Sequence, residues 1–476
     1  MTDRSSATLS VSEWSSLTSV ERCRRISRVA SVVAESGELW AELCRRDWRE
    51  DQLTTISGEL LPLCGALKWI GRRGASVLAD QRLSIWSRPI WLWGVQNQVC
   101  RRPHGQVLIL GSWNYPILLV GTQIAQALAA GNQVLFKPAA GCEEIGGELA
   151  SAFYQCGIPQ DALRVLDSSA EAAIAAIDQG VDLIVLTGSA ATGRAVFKQA
   201  SESLTPMILE LSGCDAVVVC PTADFQQVSD CIEFGLAFNG GATCIGPRRL
   251  IVENQDSEKI LERLIPALAK IAPLAIHPAA IPSVTQLIQR ALDEGANDLT
   301  GRFSMSEFQK TGRIPPLVFG GVDPKSEIAN ADIFAPVLNL LEVDEIHQSV
   351  EIVNQCQYRL AASVFGSLPE SSALADQLVV GSVTINDLIV PTADPRVSFG
   401  GRGESGFGVT RGEQGLLAMT VPVVKSIRRG AFAPHLVFNR EDDSSILLAA
   451  LRALYGRTVG TRLEGFYKMV RSARNR

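Results

Sequence analysis

The 476-residue sequence has little histidine: four residues, His104, His277, His347 and His435, lie scattered along the chain. Its eleven cysteines are odd in number and show no Cys-x-x-Cys pair and no zinc-like spacing. A metal cluster is therefore not expected, and neither is a disulfide framework; the thiols read as reduced, in a cytosol-like compartment. There is no basic excess. The net charge of −6 gives no global case for nucleic acid as a partner. The first fourteen residues have no apolar core, so they do not read as a secretory signal peptide. No internal repeat is visible.

One absence needs more care. From Gly105 to Phe136 there is no charged residue, which raises the question of a membrane span. The run is interrupted by Trp113, Asn114, Tyr115, Pro116 and glutamines, and its pattern changes midway. "QVLILG" reads as a buried strand, "LVGTQIAQALAAG" as a buried helix and "QVLF" as the next strand. The length and polarity criteria for a span are not met.

The composition, 46% hydrophobic and 20% charged, is that of a globular protein long enough for two or three domains. Residues 12–80 read as helical. Residues 84–103, rich in Trp, Ile and Val, read as extended strands. Strand and helix then alternate, with strands at 106–110, 133–136, 163–166, 182–186 and 206–210 and helices at 117–130, 143–156, 170–178 and 192–200. A second alternating block runs from about 216 to 385. This spacing predicts α/β architecture with parallel sheets covered by helices. Residues 443–476 read as two amphipathic helices. From Arg457 onward six basic residues face one acidic residue. That tail reads either as a solvated basic surface or as a segment that touches membrane or guards a site for apolar substrates.

"GRGESG" at 401–406 fits the Gly-x-Gly-x-x-Gly pattern but not its context. It does not end a first strand, and no acidic residue follows about 20 positions on. It is expected to be a loop closing over something.

The chemistry centres on "FNGGATC", 238–244. Cys244 follows an Asn/Gly-rich loop between helix-like and strand-like sequence. A thiolate is a strong nucleophile toward carbonyl carbon, and glycines let backbone N–H groups approach an oxyanion. No histidine lies in a comparable polar loop, so a Cys–His pair is not expected. Glu210 ends an apolar strand in "MILELSGCD". Desolvation there raises a carboxyl pKa and suits it to proton abstraction, although a lone glutamate at that position also reads as structural. Cys214, four residues on, reads as a buried spare thiol, or as one half of a redox pair with Cys244.

Seven motifs in order, "SWNYP" (112–116), "FKPAA" (136–140), "TGSAATG" (187–193), "LELSG" (209–213), "FNGGATC", "DIFAP" (332–336) and "VSFGGRGESGFG" (397–408), resemble the aldehyde dehydrogenase superfamily. The spacings and long tail look most like the class 3, fatty-aldehyde branch. The resemblance implies a Rossmann-like cofactor domain (1–80 and 104–209), a catalytic domain (210–404), an oligomerisation arm (81–103 and 405–440) and a basic tail (441–476). It implies NAD(P)-dependent oxidation of an aldehyde, with Cys244 as nucleophile, Asn114 in the oxyanion hole and Glu210 activating water. NAD or NADP would be bound through Lys137, Gly188, Ser189, Leu211, Asp332 and Phe334, without metal. It also implies a homodimer, because edge strands of the arm need covering.

Apolar residues expected near the entrance, Trp93, Tyr115 and the tail's Leu and Phe, lean toward a hydrophobic aldehyde. Five positions depart from the family pattern. Ala140 stands where a ribose-binding Glu is usual, which removes repulsion of a 2′-phosphate. Asp332 replaces Glu, Ala335 replaces Gly, Ser212 and Cys214 replace Gly and Lys, and Ala242 replaces Gln. A catalytically impaired relative serving as a binding or scaffolding module is the alternative these departures leave open.

Overall fold

The charge-free run folds as the centre of a sheet and its covering helix. In the computed structural model, strand Gln106–Leu110 leads through the 111–117 loop to helix Leu118–Ala130 and strand Gln133–Lys137. Every residue of that helix is buried. It therefore needs no polar face, and burial rather than a bilayer explains the missing charges. Gly131 ends it in the left-handed conformation, φ 98°, where a side chain would be strained. The structure describes residues 10–431, 433–436 and 443–474.

Two compact units are present. The first, residues 1–79 with 101–421, holds two large sheets beside two short two-stranded ones. One has six strands in the order 406–407, 207–211, 183–188, 106–110, 133–137, 163–165. All its pairs are parallel except that of the short outer strand Gly406–Phe407. The other has seven strands, in the order 297–298, 317–320, 337–343, 247–253, 215–219, 361–365, 382–385. It too is parallel except at Asn297–Asp298. Right-handed crossovers through helices are what parallel strands require, and the α/β fold expected from the alternation is present.

Three expectations change. Residues 84–94 are not strand: they turn through a short 3-10 helix, Ile90–Leu92, and the strand is Val95–Pro103. Pro89 lacks a donor and Gly94 sits at φ 82°, so neither fits a ladder. Residues 12–80 are helical but pass through π turns at Ile56–Leu60 and Ile70–Gly74. "GRGESG" is not a lid over a site. Gly406 pairs with Glu210 and Phe407 with Leu209, so it adds an edge strand to the six-stranded sheet.

The second unit, residues 80–100 with 422–476, contains most of the three-stranded arm Gln81–Arg82, Val95–Pro103, Thr420–Arg428, whose first two strands pair antiparallel. It also contains the helix pair Asp443–Tyr455 and Val459–Arg474, as the periodicity predicted. What the sequence predicts for residues 437–442, and for the extreme termini, lies outside the described residues.

Candidate active site

The loop that carries Cys244 is shaped by backbone strain. Asn239 (φ 53°), Gly240 (φ 60°) and Gly241 (φ 75°) are consecutive left-handed residues. That sequence of conformations is open to Asn and Gly and closed to most side chains. A Cβ on Gly241 would lie 2.6 Å from the Ala335 carbonyl carbon and the Pro336 nitrogen. The glycine thus lets the loop lie directly on the segment that bears Phe334. Arg248, fully buried, clamps the two together: its guanidinium donates to the carbonyls of Gly241 (2.6 Å), Thr243 (3.1 Å) and Ala335 (3.2 Å). Burial pulls its pKa down to about 10.

Asn114 is held from three directions. Its backbone carbonyl accepts from Arg49 Nη1 (3.0 Å) and Asn239 Nδ2 (3.0 Å), and its own Nδ2 donates to Ala242 C=O (3.0 Å). Arg49 is in turn paired with Glu59 at 2.5 Å, both buried. Glu59 Oε2 accepts from the N–H groups of Ile117 (2.6 Å) and Leu118 (3.0 Å), which are unpaired donors at a helix start. A buried ion pair therefore joins the 112–116 loop to the helices before it. Sequence reasoning missed this pair, because 58 positions separate Glu59 from Ile117.

Glu210 ends strand Met207–Leu211 in full burial. Thr410 Oγ1 donates to its Oε2 at 2.8 Å, whereas Oε1 has no partner of good geometry among the described residues. Burial raises its pKa above the usual carboxylate range, opposed by the charge of Arg411 and by hydrogen bonding from Thr410 and Gln123. Cys244 is only partly accessible, not exposed. Enclosure, then the charges of Glu210 and Asp215, push its thiol up to about 12, against Arg411 and the Ile245 N–H. A thiol held that high needs a proton acceptor beside it before it can act as a nucleophile.

Cys244, Glu210, Asn114, Gly188, Ser189, Leu211, Asp332 and Phe334 all line one cavity of about 520 Å³. Lys137 does not line it; its Nζ donates to Pro138 C=O at 3.1 Å, near Ala139, which does. Ser189 caps helix Ala190–Ser201, its hydroxyl accepting from Thr192 N–H at 3.2 Å. That helix starts two residues earlier than its periodicity suggested, because the cap sets the boundary. Asp332 is raised by burial and hydrogen-bonded to Ser212 and Tyr358.

Several further corrections follow. His277, one of the scattered histidines given no part in the site, lines the same cavity. Its ring stacks on Trp113 at 4.1 Å with Trp48 edge-on at 4.6 Å, and its Nδ1 accepts from Ala279 N–H. It is a wall of the site, and burial lowers its pKa. Tyr115 is buried, with its hydroxyl 2.7 Å from Thr243 Oγ1, not at an open mouth. Cys214 bonds to Ala329 C=O and faces Cys356, not Cys244, and all eleven cysteines are free thiols. Arg411 was also missed. It is buried, at φ 60°, stacked 4.1 Å over Phe399, and its Nη1 donates to Thr392 C=O. A single charged residue in a Gly-rich stretch gave no signal of that packing.

Comparison with known proteins places these features. Residues 4–424 match the model of the aldehyde dehydrogenase family. The 4,4'-diapolycopene aldehyde oxidase of Methylomonas sp is 27% identical over 416 residues, 86% of this chain and 78% of that protein. The benzaldehyde dehydrogenase [NAD(+)] of Pseudomonas putida is 30% identical over 330 residues, 66% of each. The crystal structure of Mycobacterium tuberculosis aldehyde dehydrogenase complexed with NAD+ superposes with a TM-score of 0.79 at 27% identity. It covers 88% of this chain and 86% of that one. With the family model spanning most of its length, the chain belongs to the aldehyde dehydrogenase family.

Proposed function

We propose that the chain oxidises an aldehyde to a carboxylic acid with NAD+ or NADP+, through a cysteine thiohemiacetal and thioester. The observation that carries this reading is the convergence of Cys244, Glu210 and Asn114 on one cavity that also reaches a helix N-terminus.

Each residue has a part. Glu210, basic for a carboxylate, takes the thiol proton, directly or through water. Cys244 Sγ attacks the aldehyde carbon. The amide N–H of Asn114 not given to Ala242, together with the Cys244 backbone N–H, stabilises the oxyanion. A bound NAD+ or NADP+ would supply the hydride acceptor, and loss of hydride from the oxyanion would leave Cys244 carrying a thioester. Once it has passed the thiol proton to solvent, Glu210, whose Oε1 has no partner of good geometry among the described residues, orients and deprotonates water. That water attacks the thioester, the carboxylic acid departs and the thiol is restored.

The chain's own groups suit a dinucleotide. The start of helix Ala190–Ser201 offers free N–H groups and a positive dipole end to a pyrophosphate. The buried Ser112 hydroxyl, on the cavity wall, lacks a partner among the described residues. Asp332 is poised for a ribose, Phe334 and Leu211 for the nicotinamide. Lys137 would meet the adenosine ribose, and exposed Ala140 leaves room for a 2′-phosphate.

A hydrophobic aldehyde is the substrate we favour. One side of Cys244 is apolar, where Ile245, Leu360 and Phe399 cluster and Arg411 covers the Phe399 ring. Phe399 packs in the same cluster as Cys244. The relatives' names, which include diapolycopene, benzaldehyde and betaine aldehyde, do not single out the fatty-aldehyde branch. A homodimer is proposed from the edge strands of the arm, to be checked by light scattering.

The decisive experiment follows NAD(P)H absorbance over an aldehyde panel. Wild type should turn over, and Cys244→Ala should not. Asn114→Ala should lose about 10²–10³-fold in kcat. Comparable kcat/KM for acetaldehyde and decanal would remove the hydrophobic preference. Absence of both turnover and NAD(P) binding would favour the scaffold reading.

A further inference from the structure

The cavity that holds Cys244 is poor in positive charge. The described residues lining it include two carboxyls, Glu210 and Asp332, and no lysine or arginine. A dinucleotide brings a diphosphate, which is anionic at any ordinary pH. In such a cavity the anion must be met by N–H and O–H donors whose hydrogens are not already in use. The start of helix Ala190–Ser201 supplies one set. His277 supplies another donor. Pro278 opens the short 3-10 turn Pro278–Ala280 and has no N–H, so the first hydrogen that needs an acceptor there is on Ala279. His277 Nδ1 accepts it at 3.2 Å. A ring nitrogen that accepts carries no proton, so the neutral imidazole holds its hydrogen on Nε2. Burial also disfavours the charged ring. Among the described residues Nε2–H has no acceptor.

The ring that carries this donor is fixed in orientation. It stacks on Trp113 at 4.1 Å with 28° between the planes, and Trp48 meets it edge-on at 4.6 Å. Trp113 in turn lies 5.8 Å from Phe334, the residue proposed for the nicotinamide. Three rings, His277, Trp113 and Phe334, thus follow one another along the wall of a single cavity. Phe334 stands at one end of the row and the Nε2 donor at the other. Along a dinucleotide, the charged group next to the nicotinamide, past one ribose, is the diphosphate.

We infer that His277 is a dinucleotide-binding residue, whose neutral Nε2–H donates to an oxygen of the diphosphate. This rests on the NAD(P)-dependent function proposed above.

The test is binding of NADH to the full chain, followed by its fluorescence, and its displacement by ADP-ribose and by adenosine. Two variants separate the donor from the other duties of the ring. His277→Phe keeps the stack on Trp113 and has neither nitrogen. His277→Asn keeps an acceptor for Ala279 N–H but has no ring and a shorter reach. Both are expected to bind NADH and ADP-ribose about ten-fold or more weakly, the loss that fits a hydrogen bond to a charged group, and to bind adenosine as wild type does. A loss confined to one variant traces to the cap or to the stack and overturns the inference, as does a loss that adenosine shares. Weakened NADH with unaltered ADP-ribose assigns the donor to the nicotinamide half, and the inference is wrong. Variants that bind NADH as tightly as wild type overturn it while leaving the NAD(P)-dependent function in place; a wild type that binds no NADH overturns both. Should one variant misfold, the other still decides, because a general disturbance of the wall weakens adenosine as well.

Discussion

Arg411 is the cation whose charge acts on both proposed reacting groups. It opposes the upward push that burial gives Glu210 and Cys244. The groups facing Glu210 are Arg411, Thr410 and Gln123; those facing Cys244 are Glu210, Asp215, Arg411 and the Ile245 N–H. Removing the cation must raise both. In Arg411→Gln, the acid limb of the kcat/KM profile is therefore expected at higher pH, and alkylation by iodoacetamide should set in at higher pH. Arg411→Lys should lie between the variant and wild type. Identical profiles for Arg411→Gln and wild type would show that the charge does not reach the site. Glu210 supports a second prediction. A carboxyl whose folded pKa is raised favours the folded state while protonated, and that contribution is lost as pH rises through the folded value. Glu210→Gln removes the loss. Its melting temperature should gain on wild type as pH rises from the ordinary carboxylate range through the raised folded value, while kcat falls by about 10²–10⁴-fold. A difference between variant and wild type that shrinks or reverses as pH rises would contradict the sign.

At the scale of elements, the site depends on two devices: a loop of left-handed residues and a buried ion pair that fixes a helix start. Gly241→Ala would place a Cβ against backbone that cannot yield, at a positive φ that costs about 1–3 kcal/mol by itself. Urea unfolding should show at least that loss, with kcat reduced through misplacement of Cys244. Glu59→Ala leaves Arg49 buried and uncompensated and two helix N–H groups unpaired, for an expected cost of about 3–5 kcal/mol. A loss under 1 kcal/mol would mean that water replaces the carboxylate. The "NGG" of the loop was legible in the sequence, since only Gly and Asn tolerate that backbone. The ion pair was not, because its value comes from burial and from partners distant in the chain.

At the scale of the whole molecule, ligand binding and folding are coupled. A dinucleotide that binds only the folded chain should raise its stability by about 2.7 kcal/mol at one hundred times Kd. NAD+ and NADP+ are both expected to raise the melting temperature. Ala140→Glu should keep the NAD+ shift and lose the NADP+ shift, since a carboxylate repels a 2′-phosphate. An NADP+ shift that survives in the variant would place the phosphate elsewhere.

Strand and helix alternation was readable by itself because a buried parallel sheet demands apolar runs of fixed length. The seven ordered motifs carried the family for a similar reason: glycine, proline and cysteine positions there answer to backbone geometry and chemistry that few residues meet. Where periodicity was the guide, boundaries moved by a residue or two, and the 84–94 segment became turns because Pro89 and Gly94 outweighed its strand-forming side chains. Tertiary structure alone decided what stands beside what. It put His277 in the cavity wall, Cys214 against Cys356, Thr410 on Glu210 and Arg411 over Phe399. Those contacts are set by how two sheets and their connecting loops pack, and sequence separation carries no record of that distance.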